Sequence, residues 1–166
     1  MLLVRGWAST SAIDAEDHSF APEAIRWPQF NVGGSLISPP IELLYHHRGA
    51  PVGKIITLAR RATKDGSLGL WIEASVSPEY TYLPFSGFSV RTKIERYEIK
   101  HRDVGPYALV KSAFLLEVSL VREPCNPDCL VTEREEFCEV TPYTIEAINK
   151  LRSLQQLIEK LQRANK

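Results

Sequence analysis

The chain has 166 residues, enough for one domain with its own core. Twenty basic residues balance twenty acidic ones, which argues against a protein that coats nucleic acid, whose footprint is usually net positive. No apolar run approaches the roughly 20 residues that span a bilayer, and Met1-Leu-Leu-Val-Arg-Gly-Trp7 turns polar too early for a secretory signal, so a cytosolic location is expected.

Residues 2–8 are apolar and stop at a Ser/Thr cluster, which predicts a first strand. The polar segment 9–20 reads as a loop, and 21–27 as a short helix with Pro22 in its first turn. Residues 28–40, with Gly33-Gly34 and Pro39-Pro40, read as a linker or loop. Strands are expected over 41–47, 52–59 and 68–76, with a turn at Arg48-Gly-Ala-Pro51 and a hairpin at Asp65-Gly66. Residues 78–84 form a loop or short irregular helix. Residues 86–100 alternate as one bent strand or two, and 103–106 turn into the most apolar run, 107–121. Strands so spaced suggest a barrel or sandwich. From Thr141-Pro142 onward the pattern becomes helical, with Ala147, Leu151, Leu154, Ile158 and Leu161 in one stripe.

Within the apolar run, side-chain alternation sets Phe114, Leu116, Val118 and Leu120 on one face, read as core. Leu115, Glu117, Ser119 and Val121 fall on the other. A carboxylate among such neighbours costs free energy unless it is paired, so Glu117 is either solvated, salt-bridged or part of a site.

Other chemistry-bearing groups are sparse. His46-His47 lies at a strand end, and adjacent strand residues face opposite sides, so one of the two can join a given site. Ser86-Gly-Phe-Ser89 sets two serines around a glycine before a strand, a segment able to expose a hydroxyl and offer backbone amides. Cys125, Cys129 and Cys138 are odd in number and depart from paired Cys-x2-Cys clusters, so neither a disulfide framework nor zinc is expected. Asp14, Glu16, Asp17 and His18 lack the calcium-loop spacing and its glycine. No Gly-rich phosphate loop is present.

Five segments, in order, resemble the tailed-phage prohead (capsid-maturation) serine proteases, which share a fold with the herpesvirus assemblin proteases. They are Val4-Arg-Gly-Trp-Ala-Ser-Thr10 with its following acidic segment, residues 41–53 around the histidine pair, Gly69-Leu-Trp-Ile-Glu-Ala74, Leu83-Pro-Phe-Ser-Gly-Phe-Ser-Val90, and Leu115-Leu-Glu-Val-Ser-Leu-Val121 with Pro124-x-Asn-Pro127. The resemblance covers most of residues 4–132. It implies a mainly β fold with some α, a herpesvirus-protease-like closed or partly open β-barrel with a few flanking helices and a C-terminal helix. Residues 1–140 would be the protease barrel, and 141–166 a helix packed on it or used for assembly.

The same resemblance implies a serine endopeptidase that cleaves scaffold and capsid-protein segments, and itself, inside an assembling prohead in the host cytoplasm. Ser89 would be the nucleophile, His47 the general base, and Glu117 the group that orients the histidine. After Ser89 the chain reads Val90-Arg91-Thr92 where the family more often has aliphatic-Gly-Phe, so Ser86 and His46 stay open as alternatives. Arg122 is a candidate for oxyanion support. A homo-oligomer is expected, with no cofactor, metal, nucleic acid or membrane. The alternative reading is a catalytically inactive capsid-assembly or scaffold-binding module of the same fold.

Overall fold

The computed structural model describes residues 1–28, 30–32, 35–37 and 41–137, and the compact unit within them spans Met1–Glu136. The predicted C-terminal helix over 141–166 lies outside the described residues, as does Cys138. Alternating side chains produce strands along most of this unit: β1 (Leu2–Ser9), β2 (His18–Phe20), β3 (Ile25–Arg26), β4 (Phe30–Val32), β5 (Ser35–Ile37), β6 (Glu42–Tyr45), β7 (Arg48–Ala62), β8 (Leu68–Val76), β9 (Gly87–Arg102), β10 (Gly105–Val121) and β11 (Val131–Glu136). One sheet runs β11-β1-β8-β7-β6-β10-β2, with β3 and β9 also paired on β10, and curls into a half-barrel. β4 and β5 form a separate antiparallel pair, inside the segment predicted as a linker.

The fold is mainly β, but the expected flanking helices are not found among the described residues, where the one helical element is a 3-10 turn at Pro78–Tyr80. Residues 21–27 do not form a helix. Glu23 adopts a left-handed φ of 64°, and the Ala24 amide closes a turn onto the Ala21 carbonyl at 3.0 Å. Ile25 and Arg26 then pair with Ala113 and Phe114 of β10. The open edge of the long strand satisfies their backbone groups better than one isolated helical turn could.

β10 holds the sheet together. Along one edge it pairs antiparallel with β9 over its whole length, and along the other it pairs in parallel with β2, β3 and finally β6. The core lies under its C-terminal half. Val118 and Leu120 pack there with Phe88 of β9, Leu43 of β6, Val4 of β1 and Ile72 of β8. All six are fully buried, and burying a side chain of this kind contributes about 1.5–3 kcal/mol.

The expected core face of β10 needs correction. Leu115 pairs with Thr92 and Glu117 with Arg91, so Leu116 is an extra residue on β10, a bulge. The bulge reverses the alternation: Leu115 is 2% exposed and joins the core, whereas Leu116 is 50% exposed. Beyond the bulge Val118 and Leu120 face the core as predicted, and Glu117 and Ser119 take the opposite face.

Candidate active site

The β6–β7 connection is tighter than the sequence suggested. Tyr45 pairs directly with Arg48, so His46 and His47 are the two central residues of the hairpin turn rather than the end of a strand. Their φ values are 51° and 60°. Both central residues are left-handed, as in type I′ hairpins, where Asn-Gly is usual. For a side chain bearing a Cβ this backbone costs about 1–2 kcal/mol per residue, so the surrounding structure must hold it. Residues 48–51, expected as the turn, open β7 instead.

Parallel pairing sets this turn beside β10. Leu44 lies opposite Ser119 and Tyr45 opposite Leu120, and the His46 amide donates to the Leu120 carbonyl at 3.0 Å. Across the other edge of β10, Ser89 lies opposite Ser119 and Arg91 opposite Glu117. In β9, Phe88 points into the core and the next residue, Ser89, points away. Three segments far apart in sequence therefore converge on the same face of β10.

The side chains meet there. Ser89 Oγ stands 2.9 Å from His47 Nε2, and His47 Nδ1 is hydrogen-bonded to Glu117 Oε1. A carboxylate accepts, so Nδ1 carries the proton, Nε2 is free to accept, and the serine hydroxyl donates to it. Glu117 is 5% exposed, yet it is not isolated. Ser119 Oγ donates to its Oε2 at 3.3 Å, and Arg91 Nε lies 4.0 Å from its Oε1. These partners supply what a buried carboxylate requires.

His46 and Ser86 are placed elsewhere. The His46 ring stacks edge-on against Tyr45, with centroids 4.5 Å apart, and lines a separate cavity with Tyr45, Arg48 and Arg122. The Ser86 hydroxyl donates to the Arg122 carbonyl. Arg122 lines that second cavity and is not among the residues lining the cleft around Ser89.

The cleft beside Ser89 and His47 is lined by Phe20, Arg91, Ile94, Asp14, Cys125 and Asn126. Asn126 belongs to the Pro-x-Asn-Pro turn. Its side-chain amide donates to the Thr10 hydroxyl at 3.1 Å and the Ala12 carbonyl at 3.3 Å. Gly87 brings the serine segment in tightly, because a Cβ there would meet the Cys129 carbonyl oxygen at 2.3 Å. Phe88 N–H donates to that same carbonyl at 2.8 Å. Cys125 and Cys129 are among the residues around the cleft, but burial, and secondarily nearby carboxylates, pushes both thiols above their usual range. They stay protonated at neutral pH, unlike a nucleophilic cysteine.

No family model and no curated protein matches this chain.

The acidic loop is held by contacts of its own. Asp14 Oδ1 accepts the backbone N–H groups of Glu16 and His18 at 2.9 and 2.8 Å, and His18 Nδ1 lies 3.6 Å from Glu16 and 3.9 Å from Asp14. Among the described residues no group of three or more His, Cys, Asp or Glu side chains is arranged to hold a metal ion. Two contributors to the site, Ser119 and Arg91, had no assigned role in the sequence. Alternation already set Ser119 on the Glu117 face, and that was the available signal. Nothing short of the β9–β10 register could have set Arg91 opposite Glu117.

Proposed function

We propose that this chain is a serine endopeptidase in which Ser89 attacks, His47 moves the proton and Glu117 orients the imidazole. The observation that carries the reading is the unbroken contact series: Ser89 Oγ 2.9 Å from His47 Nε2, with Nδ1 of the same ring on a buried carboxylate. A hydroxyl, an imidazole and an acid in that sequence, with the hydroxyl opening onto a cleft, is the arrangement that acyl transfer needs.

The steps follow from the atoms. The Ser89 O–H proton passes to His47 Nε2 as Oγ bonds to a substrate carbonyl carbon. The imidazolium so formed is stabilised by the Glu117 carboxylate at Nδ1. His47 then returns the proton to the departing amine nitrogen as the C–N bond breaks, leaving an ester on Ser89. Water, deprotonated by the same Nε2, releases the acid and restores the serine. Backbone amides would hold the tetrahedral oxyanion.

The finer identity is also proposed: a prohead-maturation protease of the tailed-phage type with an assemblin-like barrel. It would cut scaffold or capsid-protein segments and itself within an assembling prohead in the host cytoplasm, as a homo-oligomer. Support comes from the five ordered sequence resemblances and from the mainly β half-barrel. Ser89→Ala tests it. The variant should keep the wild-type circular dichroism spectrum and lose both self-processing and cleavage of capsid-protein peptides. Processing at the wild-type rate in Ser89→Ala would end the reading.

A further inference from the structure

Ser119 is 0% exposed, two residues from Glu117 and directly opposite Ser89 across the β9–β10 pair. Its Oγ accepts the backbone N–H of His47 at 2.9 Å and donates to Glu117 Oε2 at 3.3 Å. A hydroxyl has one proton and two lone pairs, so both bonds form at once. One side chain therefore joins the backbone of the histidine to the carboxylate that its ring uses.

The join matters because of the backbone at His47. Its φ of 60° is a conformation that a non-glycine residue holds only when its surroundings over-determine it. Arg91 makes the companion contact: its guanidinium donates to the His47 carbonyl at 3.1 Å, and its Nε lies 4.0 Å from Glu117 Oε1. The N–H and C=O of His47 are both held, and both holders reach the same carboxylate.

We propose that Ser119 is a positioning residue. It fixes the left-handed backbone of His47 and the rotation of the Glu117 carboxylate together, so that Nδ1 meets Oε1 while Nε2 meets Ser89. This rests on the catalytic reading of Ser89, His47 and Glu117, and two measurements keep the claims apart. One is the low-field proton NMR signal of His47 Nδ1–H in the resting protein, which needs no turnover. The other is peptide cleavage per serine titrated with a fluorophosphonate.

A displacement of about 1 Å at a reacting group can cost about a hundredfold, so Ser119→Ala should lower turnover per titrated serine by about ten- to a hundredfold. KM should stay within about twofold, because the interaction lost is one used in the chemical step. The Nδ1–H signal should shift or broaden beyond detection. A role in stability alone would lower the melting temperature and leave the signal and the turnover per titrated serine where they were. Ser119→Cys keeps the shape with a weaker donor, and should change both readouts in the same direction but less. It also serves if the alanine variant does not fold. An unchanged Nδ1–H signal with unchanged turnover in a folded variant overturns the proposal. A wild-type protein with no hydrolytic activity would end the protease reading instead, and the NMR comparison would then decide the role of Ser119 alone.

Discussion

Glu117→Gln isolates the charge of the buried acid from its shape. The amide keeps the volume, and its carbonyl oxygen can still accept from Ser119 or from Nδ1. What disappears is the negative charge beside the ring at the moment the ring becomes an imidazolium. Charge centres about 4 Å apart in a site of effective dielectric about 20 interact by about 4 kcal/mol. Glu117 is 5% exposed and its partner ring is part-buried, so the screening of a surface pair does not apply in full. At 1.36 kcal/mol per decade, the loss corresponds to a rate about a thousandfold lower. The effect should fall on kcat, since the charge pair exists in the transition state and not in the resting enzyme. The assay is initial-rate peptide cleavage at neutral pH, normalised to fluorophosphonate-titrated sites, with thermal melts to confirm folding. Cleavage within about threefold of wild type would refute the reasoning, because an interaction worth that little is no more than an ordinary surface ion pair provides.

Other expectations concern the elements that carry the site. His46→Asn replaces one left-handed turn residue by one better suited to it, so peptide cleavage should persist and the melting temperature should hold or rise, whereas His47→Asn should abolish cleavage. Gly87→Ala drives a methyl group against the Cys129 carbonyl at 2.3 Å, so it should destabilise the fold by about 1–3 kcal/mol in urea titration and reduce cleavage, since Ser89 lies two residues on. Cys125 and Cys129 have thiols raised above their usual range, which lowers the thiolate fraction. Iodoacetamide at pH 8 should label them far more slowly in the native than in the unfolded protein, as mass spectrometry can follow.

Where one face of a strand is buried and the other is not, the elements could be read from the sequence. β8 occupies the predicted residues 68–76 because alternation and flanking turn residues agree there. β11 was not foreseen. Its Thr-Glu-Arg-Glu-Glu has no apolar face, and what holds it is pairing with β1 and the ion pairs of Arg5 with Glu133 and Glu135, at 3.0 and 3.1 Å. The sequence points to a turn at residues 48–51 and not at His46-His47 because neither histidine is a usual turn residue, while Gly49 and Pro51 are. A residue forced left-handed by a site carries no local signal of it. The bulge at Leu116 was equally silent, since one extra residue changes which face a side chain takes without changing the composition of the run.

The site divides along the same line. Ser89, His47 and Glu117 were assigned by resemblance, and the strand pairing brings those three together, not Ser86 or His46. Glu117 was ambiguous in isolation because alternation shows that an acid shares a face with apolar residues but not what lies across from it. Ser119 and Arg91 depend on register across β9 and β10, and register is a property of two strands. Arg122 lines the other cavity, and a position just past β10 carries no sequence signal of which cavity it meets.

The most direct test of the account is covalent labelling. The native protein is treated with a fluorophosphonate and the adduct is located by tandem mass spectrometry, alongside His47→Ala and Ser86→Ala. One adduct is expected, on Ser89, retained in Ser86→Ala and lost in His47→Ala. An adduct on Ser86, or no adduct on a folded wild-type protein, would contradict it.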